Sequence, residues 1–454
     1  MKAARILGVF FSLIFSIILL SACDSYVQKR SDSNDAFAQT SATDDLTLSE
    51  HSDVGEGTAP ETITLTWVVW DWDAIVYYQP LIDSYTEINP HVTINYIDLG
   101  AIDYNTVLGI QLAGAADYDV ITIKDVPGYA DLVRHGHLEP LSRFAAEAGI
   151  DTDAFGGLVE ELTVNDEFYA LPFRSDFWVV FYNKRLFDRA GVPYPNNEMT
   201  LEDFDRIARQ MTDGSGSDKI YGTHYHTWRS TVQLFGILDG QNTIVDGNYE
   251  FLRPIYEIVL NQQRDGIIMD FATLRVTASH YSGLWQSEQI AMMNMGTWFI
   301  PTAIMRIENG ESLADEWGIT RYPVPVGTAH GTTLGTITSV AVSSSSARKD
   351  AALDFVKFIS GPQGAEILAN LGQFPAIMDD KSINLIASMP GFPPDQQSRD
   401  ALQSTKIYLE MPMHERSGDI EVVLNEVHNE ILLYTITIDE GITEMNERVR
   451  EIIG

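Results

Sequence analysis

Tryptophans set among carboxylates, arginines and histidines recur along this chain, and that mixture has a definite chemistry. A flat aromatic face stacks on the apolar C–H face of a sugar-like ring, while polar groups at fixed angles hold its hydroxyls. The first instance is Trp70-Asp71-Trp72-Asp73. If a strand persists through it, alternation puts both aspartates on one face and both tryptophans on the other. The tryptophans then either offer a platform or fill a core. The carboxylates need a partner, because a charge buried alone is costly; two ligand hydroxyls, or an arginine such as Arg174, would supply one. The second instance is Arg174, Asp176 and Trp178, at alternate positions on one strand face. An arginine fork beside a carboxylate binds adjacent hydroxyls, or the two pair with each other and brace the segment that carries them.

The third instance is His224, His226 and Trp228 with Arg229 beside them. His226, Trp228 and Arg229 are read as ligand contacts, with a structural histidine pair as the alternative. Two histidines on one strand face also suit a metal, but no further ligand stands at a diagnostic spacing, so none is expected. The fourth is Gly296-Thr297-Trp298, where an apolar strand turns into a helix. The glycine allows close backbone approach and the first-turn N–H groups face outward. Trp298 is read as a stacking platform, with core packing as the alternative; Trp285, with Tyr281, is a second platform or core. Asp125 follows Lys124 at the end of the apolar run Val120 to Ile123. It is either a ligand contact or the N-cap of the helix after Pro127. Gly335 and Thr336 are read as backbone and hydroxyl donors lining the same site.

Positioning these groups takes strands and helices in alternation. Thr62 to Trp70 reads as a strand, Ile75 to Ile88 as a helix stopped by Asn89-Pro90, and Val92 to Leu99 as a second strand. The helix Tyr104 to Ala113 and the strand Val120 to Ile123 follow. This order predicts an α/β fold with a largely parallel sheet covered on both faces and ligand beyond the carboxyl ends of strands. Phe168 to Lys184 is almost continuously aromatic and β-branched, long enough to leave one lobe and enter another, and Thr333 to Ser343 is long enough to return. Helices are predicted over 201–211, 229–238, 251–264, 350–361, 362–371 and about 440–453. The predicted lobes are 62–173 plus 318–360, and 174–317 plus 361–454.

Lys2 and Arg5 precede an apolar run from Ile6 to Leu20, then small residues and Cys23, the chain's single cysteine. The run, at roughly 15 residues, is a secretory signal and shorter than a membrane span. Leu20-Ser21-Ala22-Cys23 resembles the lipobox of bacterial lipoproteins, which implies acylation of Cys23 after removal of residues 1–22. One cysteine excludes an internal disulfide and a Cys-rich zinc site. Residues 23–61 hold little to bury and are expected to form a disordered tether, reaching on the order of 30–35 Å. The formal charge of −35 argues against nucleic acid, which requires clustered cations. It suits a saline or alkaline exterior.

WVVWDWDA, DVITIKDVPGY, YALPFRSDFWVVFYNKRLFDRAGVPYP, THYHTWRS, AMMNMGTWFI, LDFVKFISGPQGAEIL and GQFPAI occur in that order. In these stretches the chain after Thr62 resembles the family-1 extracellular solute-binding proteins, the group that includes maltose-binding protein. The resemblance implies a two-lobed periplasmic-binding-protein-like fold of class II, joined by crossing strands. It also implies ligand capture in the cleft, hinge closure, delivery to the permease of an ABC importer, no cofactor and no catalysis; a monomer is expected. Three other readings stay open. A glycoside hydrolase would also carry tryptophans and paired carboxylates, but Asp71 and Asp73 are too close in sequence to make a convincing pair, and no Walker A, dinucleotide, zincin or serine-elbow motif is present. A surface glycan sensor or adhesin would share the cleft. Arg174 and Arg229 also leave room for a uronate-type cargo.

Overall fold

The computed structural model describes residues 62–454 apart from 74, 101–102 and 404–405. The signal, Cys23 and the tether lie outside the described residues. Among the described residues eight strands carry the fold: β1 (Ile63–Val69), β2 (Val92–Asp98), β3 (Val120–Ile123), β4 (Leu171–Asn183), β5 (Met292–Gly296), β6 (Trp317–Arg321), β7 (Thr332–Val342) and β8 (Lys406–Leu409). Their order is β2-β1-β3-β7-β4-β5, with β6 on β4 and β8 on β7.

Alternation along β1 explains the first lobe. Leu65, Trp67 and Val69 point to one core, together with Val340 and Val342 of β7. Val68, and Trp70 just beyond the strand, point to another with Ile121, Ile123, Ile337 and Ala341. The sheet is therefore covered on both faces, as expected of βαβ units. It is less parallel than the alternation of elements predicts. β1 is parallel to β2 and β3, but β3 and β4 are both antiparallel to β7. The cause is the crossover: β7 returns from the second lobe and enters the first against the direction of the strands already there.

β4 is where one lobe becomes two. Leu171 and Phe173 belong to the first-lobe core, and the strand pairs with β7 from Leu171 to Phe177. From Trp178 onward it pairs with β5 and β6 instead. There Trp178, Val180 and Tyr182 face one second-lobe core while Phe177, Val179 and Phe181 face the other. β6 runs beside the second half of β4 with Ile319 in that lobe's packing, although the sequence places residues from 318 in the first lobe. Leu368 and Ala376 pack in the first-lobe core, beyond the sequence boundary at 360. Both segments read as generic apolar runs, and only the core each one joins assigns it. The helix Ser417–Leu432 was missed in the sequence; its buried Ile420, Val423, Leu424, Val427 and Ile431 do have helical spacing.

Candidate functional site

The first cluster does not keep the alternation that would make it a platform. β1 ends at Val69, and Asp71 takes φ +53°, left-handed backbone that breaks the strand. Trp70 turns into the first lobe, 8 % exposed, with its ring edge-on to Tyr104 and Tyr78. Trp72 lies parallel to Tyr96, centroids 3.5 Å apart, and to Tyr78 at 5.6 Å, so its stacking capacity is taken up within the lobe. Its backbone N–H donates to the Asp98 carboxylate at 3.1 Å. Asp71 and Asp73 are exposed. Burial lowers the pKa of His280 in the second lobe, and the Asp71 charge offsets part of that lowering.

Arg174 and Asp176 pair with each other. The guanidinium donates to Asp176 at 2.6 Å and to the Tyr77 hydroxyl at 3.0 Å, with both charged groups buried. Burial pulls the Arg174 pKa down, but Asp176 and Tyr77 outweigh it and hold the group charged. Burial raises the Asp176 pKa; Arg174 and a 2.8 Å hydrogen bond donated by the Thr297 hydroxyl oppose it. Tyr77 packs in the first lobe and Thr297 follows β5 in the second. The pair on the crossing strand thus ties both lobes, as the bracing alternative has it. Phe177 and Thr297 reinforce the tie: the Thr297 amide donates to the Phe177 carbonyl at 2.9 Å.

The second lobe presents an aromatic wall. Trp228 is 38 % exposed and stands edge-on to His226 (4.6 Å), Tyr281 (5.7 Å) and Trp298 (6.3 Å). Trp298 is half-buried and edge-on to Trp178 at 5.4 Å. A Cβ on Gly296 would stand 1.9 Å from the Trp298 ring, so only glycine lets the indole fold back over the strand end. His280 completes the rim, 5.4 Å from His226. Burial drives the pKa of His226 and His224 down to about 3, so both are neutral at physiological pH. Their rings are 5.9 Å apart, and among the described residues no cluster of histidines, cysteines and carboxylates could hold a metal. Trp285 is not on this wall. It is 1 % exposed and packs against Phe181 and Phe299, because its turn sets it into the core under β5.

Trp178 joins the wall to a small cavity. Its ring is buried in the second-lobe core, yet its indole N–H donates to Glu410 at 3.0 Å. Glu410 lines a cavity of about 100 Å³ with Asn105, Asp125, Arg229, Gly335, Thr336 and Glu421 among its walls. Asp125 caps the helix Val126–Arg134 by accepting from the Gly128 amide at 2.8 Å, as the N-cap alternative has it, and it lines this cavity as well. Arg229, 2 % exposed, is bound by Glu421 through Nε at 2.8 Å and through Nη2. Gly335 also borders a larger space of about 720 Å³, whose walls mix apolar side chains such as Phe155, Phe177, Met378 and Leu402 with Glu161, Ser175, Asp380, Gln403 and Lys406. Both spaces carry groups suited to hydroxyls; the smaller one is set apart by its link to the aromatic wall, since Trp178 bonds Glu410 and stands edge-on to Trp298.

Residues 72–366 match the family model of the bacterial extracellular solute-binding proteins. The chain belongs to that family. A sugar transporter from Rhizobium etli, solved in an open conformation, is 49 % identical, with 85 % of this chain and 99 % of that one covered and a TM-score of 0.75. A mannitol-binding protein of Pseudomonas aeruginosa is 25 % identical over 179 residues, 39 % of this chain; the match spans 40 % of that protein's length. A solute-binding protein from Agrobacterium vitis with bound D-mannitol shares the fold at TM-score 0.67 and 17 % identity, over 86 % of this chain and 98 % of that one. The solute-binding protein described here has the two-lobed α/β architecture of that group, and its family is extracellular or periplasmic. Among the described residues no helix is long and apolar enough to cross a membrane. Sequence reasoning missed Tyr77, Thr297, His280, Glu410 and Glu421. Thr297 lies within Gly296-Thr297-Trp298 and His280 beside Tyr281, whereas Glu410 follows a short strand and Glu421 lies on a helix, and neither segment reveals what its glutamate pairs with.

Proposed function

We propose that this solute-binding protein captures a sugar or short oligosaccharide between its lobes and delivers it to the permease of an ABC importer. The observation that carries the reading is the exposed Trp228 and half-buried Trp298 set beside a cavity walled by Asp125, Thr336, Arg229 and Glu410. Rings to stack on and acceptors for hydroxyls meet at one place, which is what a polyhydroxylated ligand requires. The similarity to the Rhizobium etli sugar transporter supports it. Closure follows from differential contact: a ligand touching Asp125 from one lobe and the Trp228–Trp298 wall from the other stabilises the closed form. The Arg174–Asp176 tie sits where the lobes would turn. Cys23, acylated, would hold the protein at the outer face of the membrane, with residues 24–61 as its tether.

A thermal-shift screen of the mature chain against mono- and oligosaccharides tests this. A ligand at 100 times its dissociation constant adds about 2.7 kcal/mol of stability. A panel in which nothing raises the unfolding temperature would refute the reading. Trp298→Ala should remove the response of whichever sugar binds while leaving the fold intact.

A further inference from the structure

The charges around the small cavity do not balance. Asp125, Glu410 and Glu421 line it on the acidic side and Arg229 on the basic side. Three of the five N–H groups of the guanidinium are engaged, Nε and one on Nη2 by Glu421 and one on Nη1 by Gln233, and its charge is paired with Glu421. Asp125 is equally engaged, with both oxygens accepting from Asn105 and one from the Gly128 amide. Glu410 differs. One of its oxygens accepts from Trp178, and the other makes no hydrogen bond among the described residues. It is an acceptor turned to the cavity, with the aromatic wall on one flank through Trp178 and Trp298.

We infer that Glu410 determines specificity at this site: the cavity takes uncharged hydroxylated rings, or rings bearing an amine, and turns away rings that carry a carboxylate. The inference rests on the sugar-site reading and narrows its cargo, against the uronate alternative. An incoming carboxylate would be set beside Glu410 and Glu421, where like charges repel and the arginine that could offset them is already paired with Glu421. A hydroxyl or an ammonium would donate to Glu410 instead. The groups facing Glu410 are the Trp178 indole, Arg229, Glu421, Asp125 and Tyr322. Burial, aided by Glu421 and Asp125, raises the Glu410 pKa to about 7 against the lowering effects of Trp178 and Arg229. Discrimination should therefore be strongest above pH 7 and fade as Glu410 takes a proton.

The test is calorimetric titration of the full chain at pH 8 and pH 6 with maltose, mannobiose, D-mannitol, the glucosamine dimer and digalacturonate. At pH 8 digalacturonate should bind at least ~100-fold more weakly than the best uncharged or amine-bearing probe. Glu410→Gln keeps the shape and the acceptor but removes the charge, and should close that gap by ~10-fold or more and make it independent of pH. Glu421→Gln frees Arg229 and should improve digalacturonate binding independently; near-ultraviolet circular dichroism checks that both variants fold. Digalacturonate binding the wild type as tightly as the best of the other probes overturns the charge selection and leaves the sugar site standing. A gap unchanged in a folded Glu410→Gln removes Glu410 as its determinant. Absence of binding by every saccharide defeats the sugar-site reading itself.

Discussion

Trp70-Asp71-Trp72-Asp73 and His224-Tyr225-His226-Thr227-Trp228-Arg229 look alike as sequence, both alternating flat rings with polar groups, yet they end in opposite environments. In the first, Trp70 is enclosed by Tyr104 and Tyr78, and Trp72 is stacked with Tyr96. In the second, His224 and His226 are buried and Trp228 is left 38 % exposed beside Trp298. The difference lies in the neighbours. Tyrosines from the helices Tyr78–Ile88 and Tyr104–Ala113 and from β2 converge on the end of β1 and occupy its rings. Among the described residues the rings around Trp228 stand edge-on and none is stacked parallel on it, and it stays partly exposed. A tryptophan's role is thus decided by what already stacks on it.

Substitutions in the two regions should separate stability from binding. The largest effect is expected from Trp70→Ala, which should cost about 3–5 kcal/mol of folding stability in urea denaturation; a loss below 1 kcal/mol would mean that Trp70 is not core. Next comes acid. His224 and His226 have folded pKa values near 3, below the unfolded value, so between pH 6.5 and 3 the unfolded chain binds protons that the folded one refuses. Their contribution is complete above pH 6.5 and is lost as pH falls, by up to about 1.4 kcal/mol per pH unit for each ring. A His224→Gln, His226→Gln chain should show a flatter stability profile between pH 6 and 4.5; an unchanged slope would place the acid sensitivity elsewhere. Trp228→Ala should weaken sugar binding by about 1–3 kcal/mol, with unfolding nearly unchanged, and titration calorimetry decides it. The smallest effect belongs to Asp71→Asn. An exposed side chain in a turn that asparagine also tolerates should alter stability by no more than about 0.5 kcal/mol, and a larger loss in thermal unfolding would show that the carboxylate is structural.

Much of the fold was legible because it rests on local pattern. The strands 63–69 and 120–123, the long β4 and β7 and the helices 201–211 and 349–360 follow from periodicity and from the glycines and prolines that end them. The antiparallel half of the sheet was not, since strand direction depends on where a returning chain enters. At the site, the pairing of Arg174 with Asp176 and the capping by Asp125 were among the readings the residues allowed, but choosing among those readings needed Tyr77, Thr297 and Asn105. Trp285 shows the limit most plainly: nothing in its own segment reveals that Phe181 and Phe299 enclose it.

The amino-acid sequence alone determined the elements, the family resemblance and the stock of rings and charges from which a site is built, because periodicity and local propensity act within a few residues. Tertiary structure alone decided which rings are enclosed and which are left exposed, that Arg229 is paired with Glu421, and that Glu410 accepts from Trp178 and lines the cavity. Those outcomes depend on partners 192 and 232 residues away in the chain, and burial and charge pairing are set by whatever folding brings within a few ångströms.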